Sequence, residues 1–133
     1  MAESIINPQI KKVIEENVIA FATIDSNGNP NVVALACCKV VGNNLVLLSD
    51  NYMNKTRSNL LQNKICAFAV WTKDEKKGYQ LKGFAEYLTS GNWKDKVDKD
   101  PDNDGLAHKA AVLFTVEEIW DLVHPKLIFR QNK

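Results

Sequence analysis

The chain has few of the residues that announce a chemistry. Its three cysteines are an adjacent pair, Cys37 and Cys38, and an isolated Cys66. An odd count without a C-x-x-C pair argues against a disulfide framework and against a zinc site. All three lie in apolar runs, where cysteine acts as a small buried hydrophobe. The two histidines, His108 and His124, have no partners at ligand spacing, whereas a metal site needs three or four convergent donors, so no metal is expected. G-x-S-x-G, P-loop and G-x-G-x-x-G patterns are missing, which removes nucleophile-elbow hydrolysis and the common nucleotide loops. No apolar run approaches the ~18 residues of a membrane span, and the opening MAESIINPQIKK lacks the apolar core of a secretory signal. A cytoplasmic protein without a membrane partner is therefore expected. Charge is equally uninformative: 17 basic against 16 acidic residues leave +1, too little to draw nucleic acid or an anionic surface.

What is present is a core. With 133 residues and 45% hydrophobic content, the chain is sized for a single domain over 1–133. Residues 7–17 read as a helix with Asn7 as cap, Pro8 in the first position, and Ile10, Val13 and Ile14 on one face. VIAFATI (residues 18–24) reads as a strand, and the turn residues Asp25 to Pro30 make a hairpin with a second strand from Asn31 to about Val41. That second strand is apolar on both faces, which calls for cover on both. A tight turn at Gly42-Asn43-Asn44 leads back into LVLL (residues 45–48). Further strands follow at Ile65 to Trp71, Tyr79 to Leu88 and Ala110 to Val116, the last running into a short segment, Glu117 to Leu122. Gly83, isolated in its strand, marks a bulge or a close backbone approach. Trp93 and Val97, four apart, predict a short amphipathic helix over 91–99. Six strands, hairpin turns and a few short helices predict a mainly β, antiparallel small barrel or curled sheet.

One junction concentrates the polar chemistry. In LVLLSDNYMNKTRSNLL (residues 45–61) a buried strand breaks into Ser49-Asp50-Asn51 and restarts as a helix capped by Asn54, with Lys55 and Thr56 in its first turn. A helix start offers unpaired N–H groups and a positive dipole end, so a lysine and a hydroxyl beside it suit a phosphate. A capped surface helix with a solvated lysine would satisfy the same spacing. Asp100, Asp102, Asp104 and Gly105 match the start of a calcium loop, but its twelfth position is Ala111 rather than glutamate, so an exposed acidic loop is the better account. Tyr79, Phe84 and Tyr87 are too sparsely interleaved with basic residues for a base-stacking sheet, and no nucleic-acid partner is expected.

Taken in order, VIAFATIDSNGNPNVVAL, LVLLSDNYMNKTRSNLLQNKICAFAVW and YQLKGFAEYL resemble the FMN-binding split β-barrel family that includes pyridoxamine 5'-phosphate oxidase and the small FMN-binding proteins. The sharpest part is the strand, polar turn and NKT at the helix start. The resemblance implies a six-stranded antiparallel split barrel, homodimeric, with FMN as cofactor in a cleft at the subunit interface. It implies that Asn54, Lys55 and Thr56 hold the FMN phosphate, with Ser49 or Asp50 reaching toward the phosphate or ribityl chain. The flavin ring would lie against Val32, Val33, Ala34 and Leu35, approached largely through backbone groups. Cys38 stands where some relatives carry a basic ligand. An aromatic from the partner subunit, Trp93 or Trp120, is expected over the ring. The C-terminal LVHPKLIFRQNK lacks the basic substrate-phosphate motif of the pyridoxal-phosphate enzymes, which argues against pyridoxamine phosphate oxidation. The expected function is that of an FMN-dependent oxidoreductase or electron-transfer protein acting on a small molecule or redox partner. A non-catalytic flavin carrier or sensor and a deazaflavin-dependent reductase of the same fold are the alternatives, and a nucleic-acid-binding barrel stands behind them.

Overall fold

The structure, a computed structural model, describes residues 5–132. Helix α1 (Pro8–Glu16) starts where its sequence says: the Asn7 side chain accepts from Ile10 N at 2.9 Å, Pro8 leads, and Ile10, Val13 and Ile14 are buried. β1 (Ile19–Ile24) and β2 (Pro30–Leu35) form the expected hairpin. The Asp25 carboxylate accepts from the backbone N–H groups of Asn27 and Asn29, and Gly28 takes a left-handed φ of 83°. These bonds hold the Asp25 carboxyl below its usual range, the Asn29 backbone bond first among them.

The long second strand expected over residues 31–41 is two strands. β2 stops at Leu35, Ala36 and Cys37 leave the ladder, and β3 (Cys38–Val40) follows. β4 (Leu45–Asp50), α2 (Lys55–Gln62), β5 (Ile65–Trp71), β6 (Gly78–Leu88), α3 (Asn92–Lys99), β7 (Ala110–Asp121) and β8 (Lys126–Arg130) complete the chain, with a 3-10 turn at Pro101–Asn103. The sheet runs β2-β1-β5-β6-β7-β4-β3, antiparallel throughout, and β8 pairs β7 beyond the end of β4. β2 and β3 are neighbours in sequence yet occupy opposite ends of this order. The sheet must therefore curl until its two edges approach, and the break at Ala36-Cys37 is where the chain steps from one edge to the other. Among the described residues the class is mainly β with three α-helices, as expected, but with eight strands in place of six.

The greater length of β7 has a physical origin as well. β7 continues past Val116 because a bulge opposite Lys82 and Gly83 takes up Glu117 and resets the alternation, so that Val112, Phe114 and Val116 are followed inward by Ile119. Gly83 is required there: a Cβ would lie 1.9 Å from the Thr115 carbonyl oxygen. Inside the curl Phe21, Phe68 and Phe114 are fully buried, with edge-to-face contacts to Phe114 at centroid distances of 6.5 and 5.0 Å. α3 seats Val97 and Trp93 on a smaller cluster with Leu47 and Ala111.

The expected cover on both faces of β2 is not met within this chain. Phe21 pairs with Val33 on the core side, but Val32 is 64% exposed, and its neighbours across the ladder are Ala22 and, beyond that, Ala67. Among the described residues no helix is long and apolar enough to cross a membrane.

Candidate functional site

Ser49 and Asp50 end β4 as buried polar residues, and the chain then turns through Asn51 to Asn54 into α2. Asn54 occupies the cap position but with φ −127° and ψ −78°, and its side chain makes no capping bond. The N–H groups of the first turn are therefore not satisfied by the cap that the sequence suggested. Thr56, buried at 1% exposure, accepts at Oγ1 from Asn31 Nδ2 at 3.1 Å, which ties α2 to the start of β2. Lys55 is exposed beside it.

These elements enclose a cavity of about 380 Å³. β2 contributes Asn31, Val33, Ala34 and Leu35, the break contributes Ala36 and Cys37, and β4 contributes Ser49. The turn and helix start add Asn51 to Thr56, and Leu106 closes one side. Of the residues singled out in the sequence, Val33, Ala34, Leu35, Ser49, Asn54, Lys55 and Thr56 are brought together here. Val32 and Asp50 are not: Val32 faces outward, and Asp50 is turned into the interior. The Asp50 carboxylate accepts from Met53 N at 2.8 Å and from the Tyr87 hydroxyl, with Lys109 Nζ 3.9 Å away. Its work is to shape the turn, which Lys109 grips from the other side through Met53 O at 3.1 Å. Burial and the bond to Asp50 push the Tyr87 hydroxyl up to about 12, and the Arg57 guanidinium lies 5.8 Å from its ring centroid.

A second amide network braces the cavity. Asn103, 1% exposed, donates to Ser49 Oγ at 3.0 Å and to Val97 O at 2.9 Å, and accepts from Asn51 Nδ2 at 3.3 Å. Asn51 Oδ1 in turn accepts from His108 N at 2.8 Å. Asn31, Asn51 and Asn103 were not singled out from the sequence. Asn31 sits where the hairpin returns, and Asn103 was absorbed into the acidic pattern. Two carboxylates of that pattern are engaged within the fold. Asp100 caps the 3-10 turn by accepting from Asp102 N, and Asp102 pairs with Lys39 at 2.7 Å. Among the described residues no three His, Cys, Asp or Glu side chains converge as a metal site would require.

The remaining candidates lie elsewhere. His108 pairs through Nδ1 with Asp98 at 2.7 Å, and Lys94 and His108 together hold the Asp98 carboxyl below its usual range. Trp93 is packed on Leu47, and Trp120 donates to Glu118, so neither lines this cavity. The tryptophan left open is Trp71, 55% exposed on the outer face of the sheet. Cys38 and Cys66 are buried thiols pushed up to about 12 by desolvation, whereas Cys37 is half-buried in the cavity wall. Cys37 thus departs from the buried position expected of all three cysteines, because it lies in the break between β2 and β3.

The model of the pyridoxamine 5'-phosphate oxidase family matches residues 6–122. The chain belongs to that family. A relative from Methanocaldococcus jannaschii, an uncharacterized protein, is 37% identical over 120 residues, spanning 86% of this chain and 78% of the relative. Among solved structures, HupZ of Group A Streptococcus superposes with a TM-score of 0.85 at 23% identity, covering 91% of this chain and 97% of HupZ. An FMN-binding protein from Syntrophomonas wolfei subsp. wolfei superposes with a TM-score of 0.71 at 17% identity, covering 84% and 82%. At those identities the two structures establish the shared fold, and membership of the pyridoxamine 5'-phosphate oxidase family rests on the sequence match.

Proposed function

We propose that this member of the pyridoxamine 5'-phosphate oxidase family binds FMN, with the 5'-phosphate at the start of α2 and the ring along β2. The observation that carries the reading is the make-up of the cavity. One end offers the Lys55 ammonium, the Ser49 and Thr56 hydroxyls, the Asn54 amide and the uncapped N–H groups of the first turn of α2, and no acidic side chain stands in that turn. This donor set matches a phosphate monoester. The other end is the apolar strip of Val33, Ala34 and Leu35, which matches a flat ring. A volume of about 380 Å³ is within the range of small-molecule sites, ~300–1,000 Å³. Asp50 acts by shaping the turn and Val32 by facing outward, so neither is a ligand in this reading.

The same reading makes the protein a homodimer. The outer faces of β2, β1 and β5 bring Val32 and Ala34, Ala20 and Ala22, and Ala67 and Ala69 into one apolar surface, bounded by Ile24, Ile65 and Trp71. A second copy with its own such surface is a natural occupant, since an isologous interface needs a self-complementary patch. Ala34 belongs both to this surface and to the cavity wall, so a partner would close the ring end of the site. Bound flavin would supply hydride or electron transfer to a small molecule or redox partner, as expected of a cytoplasmic oxidoreductase with one FMN-binding domain. The residues here bind, orient and exclude water. Absorbance of the purified protein with added FMN tests the reading. Retained flavin is expected, and a preparation that takes up none refutes it. Flavin-stimulated oxidation of NADH or NADPH would separate an oxidoreductase from a carrier.

A further inference from the structure

Both hydroxyls at the polar end of the cavity already serve as hydrogen-bond acceptors for an asparagine amide. Asn31 Nδ2 donates to Thr56 Oγ1 at 3.1 Å, and Asn103 Nδ2 donates to Ser49 Oγ at 3.0 Å. An amide NH₂ carries only donors, so neither hydroxyl can return its proton along that contact. Among the described residues no contact within the helix takes up the Thr56 proton either. A helical threonine commonly donates to a carbonyl one turn back, but Thr56 is the second residue of α2, and no helical turn precedes it. Thr56 lines the cavity, so a ligand oxygen placed there can accept that proton.

We propose that Asn31 is a positioning residue: by filling the acceptor side of Thr56 it makes that hydroxyl a committed donor, and so selects a ligand that ends in an anionic oxygen. The inference rests on the FMN reading and deepens it by naming what discriminates FMN from riboflavin. The terminal ribityl hydroxyl of riboflavin both donates and accepts and gains little from a donor-only environment. A phosphate accepts at every oxygen and gains from each donor. The Asn31 side chain acts through Thr56 at the polar end, while β2 presents Val33 to Leu35 at the ring end.

The test is a double-mutant cycle with two ligands. FMN and riboflavin are titrated into the wild type, Asn31→Ala, Thr56→Val and the double variant, each checked by thermal melting. Asn31→Thr, a strand-compatible residue without an amide, replaces Asn31→Ala if that variant melts early. Thr56→Val is expected to weaken FMN binding roughly tenfold or more, the scale of a hydrogen bond to a charged group. Asn31→Ala is expected to weaken it several-fold, riboflavin affinity is expected to stay unchanged in both, and the double variant is expected to match Thr56→Val. Independent losses that multiply in the double variant, or equal losses for FMN and riboflavin, overturn the role of Asn31 while leaving FMN binding intact. A wild type that binds neither flavin overturns the FMN reading and this inference with it.

Discussion

At the start of β2 and beside it, Asn31, Ser49, Asn51 and Thr56 are each held by a named hydrogen bond, and Lys109 and Asp50 grip the same turn from behind. One residue along, Val32, itself 64% exposed, belongs to a surface of alanines and branched side chains on the outer faces of β2, β1 and β5 that has no such bonds. The first region fixes donors in definite directions, so it constrains the chemistry of a small ligand. The second constrains only that water be removed, which suits a broad, symmetric protein contact. The strand joins the two: residues 33–35 reach the cavity while Val32 and Ala34 face outward, Ala34 sharing both. Alternation of period two allows one strand to serve both tasks.

The largest effect that would break this comparison is expected at the apolar surface. In the proposed dimer, Val32→Glu would place a charge in each half of a symmetric interface, where an unpaired buried charge costs about 2–5 kcal/mol. Sedimentation should show a dimer converted to monomer, and an unchanged sedimentation coefficient would show that the face is not the contact. At the polar region, Lys55→Ala should cost about 1.5–3 kcal/mol in FMN binding without changing the oligomeric state. Unaltered FMN affinity by titration would remove Lys55 from the site. The turn behind it should respond in stability: Asp50→Ala leaves Met53 N and the Tyr87 hydroxyl without their acceptor, at roughly 1–3 kcal/mol by denaturant unfolding.

Smaller effects sharpen the boundary between the regions. Cys37 should be alkylated before Cys38 and Cys66, and FMN should slow its reaction, because Cys37 is half-buried and lines the cavity while the other two are buried. Mass spectrometry of the modified peptides reads this directly, and modification of Cys37 at the same rate with and without FMN would separate it from the site. The smallest effect concerns alkaline pH. The Tyr87 hydroxyl is raised from 10 to about 12, so the folded state holds that proton more tightly than the unfolded one. Its contribution is therefore complete below pH 10 and lost as the pH rises toward 12. Tyr87→Phe should flatten that part of the stability profile, and an unchanged alkaline slope would assign it to other groups.

Much of this molecule was legible because local chemistry and global fold agree. The Asn7-Pro8 start of α1, the Asp25-to-Pro30 hairpin, the 3.6-residue spacing of Trp93 and Val97, and the isolated Gly83 each stand where their residues say. The strand-turn-helix junction at residues 45–61 was legible for the same reason, and half of the cavity-lining residues belong to it. What was not legible depends on long-range geometry. An apolar run such as residues 32–41 carries no mark of the point at which it changes sheet edges. The bulge at Glu117 breaks the period that would have carried β7 to Asp121. β8 shows no alternation, since Leu127 and Ile128 are both exposed. Asn31 and Asn103 reach the cavity hydroxyls through bonds spanning 25 and 54 residues, a relation that composition and spacing do not encode.

The most direct test of the central claim, that the start of α2 holds the phosphate of FMN, is a pair of titrations of the wild-type protein with FMN and with riboflavin. The account predicts saturable FMN binding with markedly weaker riboflavin binding, and a gap between them that narrows in Lys55→Ala. Equal affinity for the two flavins, or a gap that Lys55→Ala leaves untouched, would contradict it.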